Sequence, residues 1–313
     1  MAPIDRRLRA FAWMVRRQGS IAGKSEAEVI AWQARHMPDN AVTGFIFGKT
    51  APGITTSDRV IPGPGGDIAV RVYRPGGSGA RPLVVYFHGG GFVLGELRMG
   101  DWLCSQVARN TGAVVVSVDY RLAPRHRFPA AVDDCYAAAA WAAENAVSLG
   151  AGGPVGVMGE SAGGNLAAVT CLLARDRGGP VIRHQVLIYP PTDMTSVPPA
   201  TATTPFLTAP EMRAYRAHYL DGADAADPRL SPLLAKDHGQ LPPALIQVGE
   251  HDPLRDDGVR YAGVLQAAGV PVRLTEYVGV PHGFLNFPGL CRLAPQALAE
   301  ICAEQKAALT GAS

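Results

Sequence analysis

Charge is scarce in this chain, and neither sign dominates it. Acidic and basic side chains make up 18% of the 313 residues and leave a formal net charge of +2. A basic footprint for phosphate backbones is therefore missing, and nucleic acid is excluded as a partner. A neutral or weakly charged small molecule suits that balance better than a polyanion. Long apolar runs are absent as well: nothing reaches the roughly 20 residues that a membrane-spanning helix needs. Yet 47% of the residues are hydrophobic, which argues against disorder and is enough for a sizeable core. Cysteine is sparse and unpaired in pattern. Cys104, Cys135, Cys171, Cys291 and Cys302 show no C-x-x-C or metal-ligand spacing, so they read as isolated buried thiols in a reducing, cytoplasmic setting, with no metal site.

Residues 1 to 50 read as a separate helical segment. Leu8, Phe11, Ala12 and Val15 recur at helical spacing among Arg6, Arg7, Arg9, Arg16 and Arg17. Their apolar stretch is short and lacks the small-residue cleavage site of a secretory signal. An amphipathic helix packed on the rest of the protein is the expectation, and a helix lying on a membrane surface is the alternative. Ser25-Glu26-Ala27-Glu28 starts a second helix carrying Val29, Ile30 and Trp32. Pro38-Asp39-Asn40 and a glycine-containing run to Gly53 then mark a boundary.

Beyond Thr55 the pattern turns to strands. Arg59 to Pro62 and Ile68 to Tyr73 flank Gly63-Pro64-Gly65-Gly66-Asp67, a hairpin signature. Continuous apolar runs follow at Leu83–Phe87, Ala113–Val118, Val155–Met158, Gln185–Tyr189, Ala244–Val248 and Val272–Tyr277, with helical stretches between most of them. Such alternation predicts an α/β fold with a mainly parallel sheet covered by helices on both faces. The interval from Pro190 to Pro243 breaks the rhythm. It holds Thr208-Ala209-Pro210-Glu211, a capping-box start, with Met212, Tyr215 and Tyr219 along one face, and an inserted helical cap is its natural role.

Two stretches carry the chemistry. Gly159-Glu160-Ser161-Ala162-Gly163 joins a strand to a small-residue helix. A serine at such a corner sits in a strained turn, its hydroxyl lifted above the sheet and the N–H of Ala162 aimed at whatever it attacks. His88-Gly89-Gly90-Gly91-Phe92 follows the Leu83–Phe87 strand. Three consecutive glycines are costly to order, and a loop of bare N–H groups beside Ser161 is a use that offsets the cost. A serine nucleophile needs a base, and the base needs a carboxylate to orient it. His282, in a loop after the last strand, can reach the carboxyl edge of the sheet. His184 precedes a strand at the opposite edge, His218 belongs to the cap helix, and His238 lies in a surface-like loop. Asp252, in the turn past a strand with Pro253 behind it, is preferred to Glu250. Asp256 and Asp257 are expected to cap or solvate the next helix.

These residues are similar to those of the hormone-sensitive-lipase-like esterases, bacterial family IV of the α/β-hydrolase superfamily. The resemblance rests on His88-Gly89-Gly90-Gly91-Phe92, Val118-Asp119-Tyr120-Arg121-Leu122-Ala123-Pro124, Phe128-Pro129-Ala130-Ala131, Gly159 to Asn165, Asp252 to Asp256 and His282-Gly283-Phe284. It implies an α/β-hydrolase fold with a helical cap. Residues 51–190 and 235–313 would form the catalytic domain, and residues 1–50 and 191–234 the cap. It further implies a serine hydrolase of short-acyl carboxylic esters, with Ser161 as nucleophile, His282 as base and acid, and Asp252 as its orienting partner. Gly90, Gly91 and Ala162 would be the oxyanion donors, and His88 and Gly89 would shape their loop. No cofactor is implied, and a homodimer is. Phe92, Leu207, Met212, Tyr215 and Phe284 are nominated as pocket walls. Arg125 and Glu160 depart from the family pattern, which has glutamate at the first position and aspartate or threonine at the second. An amidase, deacetylase or lactonase using the same three residues, and a non-catalytic small-ligand receptor on the same scaffold, stand as alternatives.

Overall fold

The computed structural model describes residues 2–77, 79–196 and 204–311. Its centre is a sheet of eight strands: β1 (Ile54–Gly63), β2 (Gly66–Pro75), β3 (Leu83–Phe87), β4 (Val114–Asp119), β5 (Val155–Glu160), β6 (Ile182–Ile188), β7 (Ala244–His251) and β8 (Val272–Pro281). The spatial order is β1-β2-β4-β3-β5-β6-β7-β8. The β1–β2 hairpin pairs antiparallel at one edge, and every neighbouring pair from β4 to β8 is parallel. All carboxyl ends of β3 to β8 therefore open on the same rim, where ligands of open α/β sheets bind.

The helices are α1 (Arg6–Gln18), α2 (Glu26–Gln33), α3 (Ala41–Ile46), α4 (Asp101–Thr111), α5 (Ala130–Glu144), α6 (Ala162–Arg177), α7 (Ala209–Leu220), α8 (Arg255–Ala267) and α9 (Ala294–Thr310). The pleat sends alternate residues of β3 into two cores. Leu83, Val85 and Phe87 pack with residues of α5, α6 and α8, including Cys135, Leu166 and Leu265. Val84 and Tyr86 pack with Cys104 and Val107 of α4 and Ile301 of α9. Every residue of β3 is buried for that reason, which is why the strand reads as an unbroken apolar run.

Both capping boxes read from the sequence are formed. Ser25 and Glu28 close α2, and Thr208 and Glu211 close α7. A third, Asn40 with Thr43, starts the short α3 in a stretch whose glycines read as loop. Through α1, Leu8 and Ala12 are buried. Phe11 meets the rings of Phe47, Phe206 and Phe287 at centroid distances of 6.3, 6.0 and 5.2 Å. All five cysteines are buried and free. Residues 197–203, inside the expected 191–234 insertion, lie outside the described residues.

Candidate active site

Ser161 stands between β5 and α6 at φ 51°, ψ −120°, a conformation that costs a non-glycine residue on the order of 1–3 kcal/mol. Close approach of neighbouring backbones enforces it. A Cβ on Gly159 would lie 2.0 Å from the Gly163 carbonyl oxygen, and one on Gly163 would lie 2.0 Å from that of Phe87. Only glycine fits two residues to either side of the serine. The Ser161 N–H donates to the Ile188 carbonyl at 2.8 Å, which pins the turn to the end of β6.

Two further strand ends deliver side chains to this serine. His282, just past β8, has Nδ1 2.8 Å from Asp252 Oδ2 and Nε2 2.9 Å from Ser161 Oγ. A carboxylate only accepts, so Nδ1 carries the proton and donates it to Asp252. That leaves a bare Nε2 to accept from the serine hydroxyl. Asp252 keeps its aim because its other oxygen accepts the Leu254 N–H at 2.8 Å, and its side chain is fully buried. Glu250 turns away: its carboxylate accepts the N–H groups of Ala2 and Gly279. Of the two acids available after β7, Asp252 is the one that meets His282.

The glycine loop after β3 lies alongside. A Cβ on Gly89 would come within 3.5 Å of the Ser161 Cβ. Gly90 and Gly91 take φ of +117° and +63°, and a Cβ on Gly90 would strike the Leu94 carbonyl oxygen at 1.9 Å. Among the described residues, the N–H groups of Gly90, Gly91 and Ala162 donate to no protein acceptor. His88 holds the base of the loop. Its Nδ1–H donates to the Gly89 carbonyl at 2.7 Å, and its ring stacks on Tyr120 at 4.3 Å. Burial drives its pKa down to about 4, so it is neutral near pH 7. Tyr120 in turn donates to the His88 carbonyl at 2.7 Å, which gives the Asp119 to Pro129 stretch a task in supporting this loop.

Behind the serine, the Glu160 carboxylate is fully buried and accepts the hydroxyls of Tyr86 and Tyr189, each at 2.7 Å. Burial and this carboxylate hold both phenols well above their ordinary pKa. The Tyr189 ring meets the His282 imidazole edge-on at 4.8 Å. Glu160 thus ties β3, β5 and the end of β6 to the wall behind the imidazole. From sequence, Glu160 was only a departure from a pattern.

Above the rim lies a cavity of about 360 Å³ that reaches Ser161 and His282. Phe92, Leu207, Met212 and Tyr215 line it as expected, joined by Val15 of α1 and Phe206. Helix α7 closes over the glycine loop. Tyr219 stacks on Phe92 at 4.1 Å, and a Cβ on Gly91 would meet the Tyr215 ring at 2.4 Å. Phe284 is not a wall. It is fully buried beneath the site, 5.7 Å from the Tyr189 ring and 5.3 Å from that of Tyr277, because the short turn after His282 points it into the sheet's core. Three other expectations are corrected. His184 lies within β6, though at the far edge from Ser161. His238 is buried, and its Nε2–H donates to the Pro232 carbonyl at 2.8 Å. Asp257 does not solvate α8: one of its oxygens accepts the N–H groups of Thr192 and Asp193, and burial raises its pKa to about 6.

Comparison with known proteins places the chain in a family. Residues 84–286 match a family described as having the alpha/beta hydrolase fold. The chain is 48% identical over 244 residues to the carboxylic ester hydrolase LipN of Mycobacterium tuberculosis, across 74% of this chain and 65% of that protein. The chain thus spans a little under two thirds of LipN. It is 42% identical to the esterase LipI of the same organism, across 79% of this chain and 80% of that one. Among solved structures, a hyperthermophilic esterase from Pyrobaculum calidifontis superposes with a TM-score of 0.87 at 39% identity, covering 98% of this chain and 99% of the other.

Proposed function

This chain belongs to the α/β-hydrolase family, in its hormone-sensitive-lipase-like branch; from that premise we propose that it is a carboxylesterase, that Ser161, His282 and Asp252 are its catalytic triad and that the reaction runs through an acyl-enzyme. The observation that carries the reading is the relay from Asp252 through His282 to Ser161, with hydrogen bonds of 2.8 and 2.9 Å. As the Ser161 oxygen attacks the ester carbonyl, Nε2 of His282 takes its proton, and Asp252 faces the imidazolium that results. The N–H groups of Gly90, Gly91 and Ala162 receive the negative charge that develops on the carbonyl oxygen. Collapse expels the alcohol, protonated by His282. A water deprotonated by the same nitrogen then releases the acid and frees Ser161.

The cap in this reading comprises residues 1–50 and 191–234, with the remainder as the catalytic domain. Val15, Leu207, Met212 and Tyr215 give the cavity an apolar lining, and its volume of about 360 Å³ suits short acyl chains better than long ones. Selectivity between ester, amide and lactone rests with these walls. A series of p-nitrophenyl esters of increasing acyl length, run beside the matching anilides, tests the assignment. Turnover highest on short acyl esters and far lower on anilides is the expected result, and a preference for anilides or long acyl chains would overturn it.

A further inference from the structure

The outward face of α1 pairs exposed apolar side chains with cations in a way the esterase chemistry does not use. Leu8 and Ala12 of this helix are buried, whereas Trp13 is 58% and Met14 43% exposed. Arg6, Arg7, Arg9, Arg16 and Arg17 are exposed too and surround them at helical spacing. The helix contains no acidic residue. The whole chain carries only +2, so these five arginines leave the rest of the molecule at −3. Among the described residues, none of the five forms an ion pair with a carboxylate. Arg16 donates to the Thr204 carbonyl, and the Arg17 guanidinium sits 3.6 Å over the Trp13 ring. The same helix sends Val15 inward to the wall of the cavity that reaches Ser161.

We propose that α1 docks the protein on an anionic lipid surface, with Trp13 and Met14 entering the interfacial region and the arginines meeting the headgroup phosphates. Charge complementarity selects this occupant. An acid-free helix about 20 Å long with five arginines around a tryptophan fits a negatively charged plane. A second copy of the same face would bring arginines against arginines. Because the cavity wall is the opposite side of the same helix, docking places the cavity within about one helix diameter, ~10 Å, of the headgroups. Esters partitioned into the bilayer would then enter without crossing bulk water. That last consequence rests on the esterase reading, whereas the docking itself does not.

The test is co-sedimentation of Ser161→Ala protein with phosphatidylcholine vesicles and with vesicles of equal parts phosphatidylcholine and phosphatidylglycerol. Using this variant keeps a failure of docking distinct from a failure of catalysis. Binding to the anionic vesicles alone, reversed by salt, is expected. The further change Arg6→Gln/Arg9→Gln/Arg17→Gln should weaken it on the order of 100-fold, and Trp13→Ser should weaken it further. The salt dependence needs no surface variant, so it stands even if one folds poorly. No binding to either vesicle would overturn the proposal, as would equal binding to neutral vesicles that survives loss of the arginines. Dimers that Trp13→Ser converts to monomers, with no vesicle binding, would assign the face to a second copy and overturn it too.

Discussion

At the scale of single residues, the site depends on which nitrogen holds a proton. Asp252 fixes the His282 tautomer because a carboxylate offers no hydrogen to Nδ1. Asp252→Asn keeps the shape but can present an N–H there, favouring the wrong tautomer. It should lower kcat by roughly 10³ to 10⁴ with little change in KM, measured on a short p-nitrophenyl ester. His88 makes a separate prediction. Burial lowers its pKa to about 4, against about 6.5 in an unfolded chain. The unfolded state therefore binds the proton first, and this residue's contribution to stability is complete above pH 6.5 and is lost as pH falls from 6.5 toward 4. An NMR titration should find the His88 ring neutral at pH 5.5, and a midpoint near 6.5 would contradict its burial. Gly159, Ser161 and Gly163 were legible in the sequence because local geometry dictates them, and His282 because it follows the last strand. A strained serine and two crossing backbones leave glycine as the residue that fits. Phe284 was not legible, since its direction depends on a turn whose geometry the string of letters does not display. Asp257 was misread for a related reason: its partners, Thr192 and Asp193, lie more than sixty residues away.

At the scale of elements, α7 is the piece that turns an open sheet rim into a cavity. It is held from below by the Phe92–Tyr219 stack and by the packing of Tyr215 on Gly91. Its start is held by the Thr208 capping box. Tyr219→Ala removes the stacked ring and leaves a void over the glycine loop. A loss of about 3–5 kcal/mol in unfolding free energy is expected from denaturant titration. Gly91→Ala is the sharper probe of the loop. The residue has φ +63° and no room for a Cβ beside Tyr215, so the variant should lose at least about 10²-fold in kcat by displacing a proposed oxyanion donor. The strands and the capping boxes of α2 and α7 could be read ahead because apolar runs and Ser/Thr-x-x-Glu signals are local. The contribution of Val15 and Phe206 to the cavity could not, because it arises only when α1 and the segment before α7 meet over the rim.

At the scale of the whole molecule, six strands running the same way gather groups from four chain segments at one rim. Burial supplies the electrostatics. Asp257 joins the end of β6 to α8 with a pKa raised to about 6, against about 4 when unfolded. The native state therefore holds this proton more tightly, and stability falls as pH rises from about 4 to about 6, then levels off. Asp257→Asn can keep both backbone hydrogen bonds through one carbonyl oxygen and has no charge to bury. It should gain on the order of 1–2 kcal/mol over the parent at pH 7 and nothing near pH 4, as read from denaturant unfolding at the two pH values. An equal difference at both would refute the burial argument. The class of fold and its mainly parallel sheet were legible from alternation alone, whereas the spatial order of the strands and the long-range joints at Glu160 and Asp257 emerge only when distant segments meet.

The central claim is that Ser161 is made nucleophilic by His282 and Asp252. Intact-protein and peptide mass spectrometry after treatment with a fluorophosphonate tests it most directly. One adduct per chain, mapped to Ser161, absent in Ser161→Ala and formed far more slowly in His282→Ala, is the predicted result. Labelling on another residue, or labelling of Ser161 at an undiminished rate without His282, would contradict it.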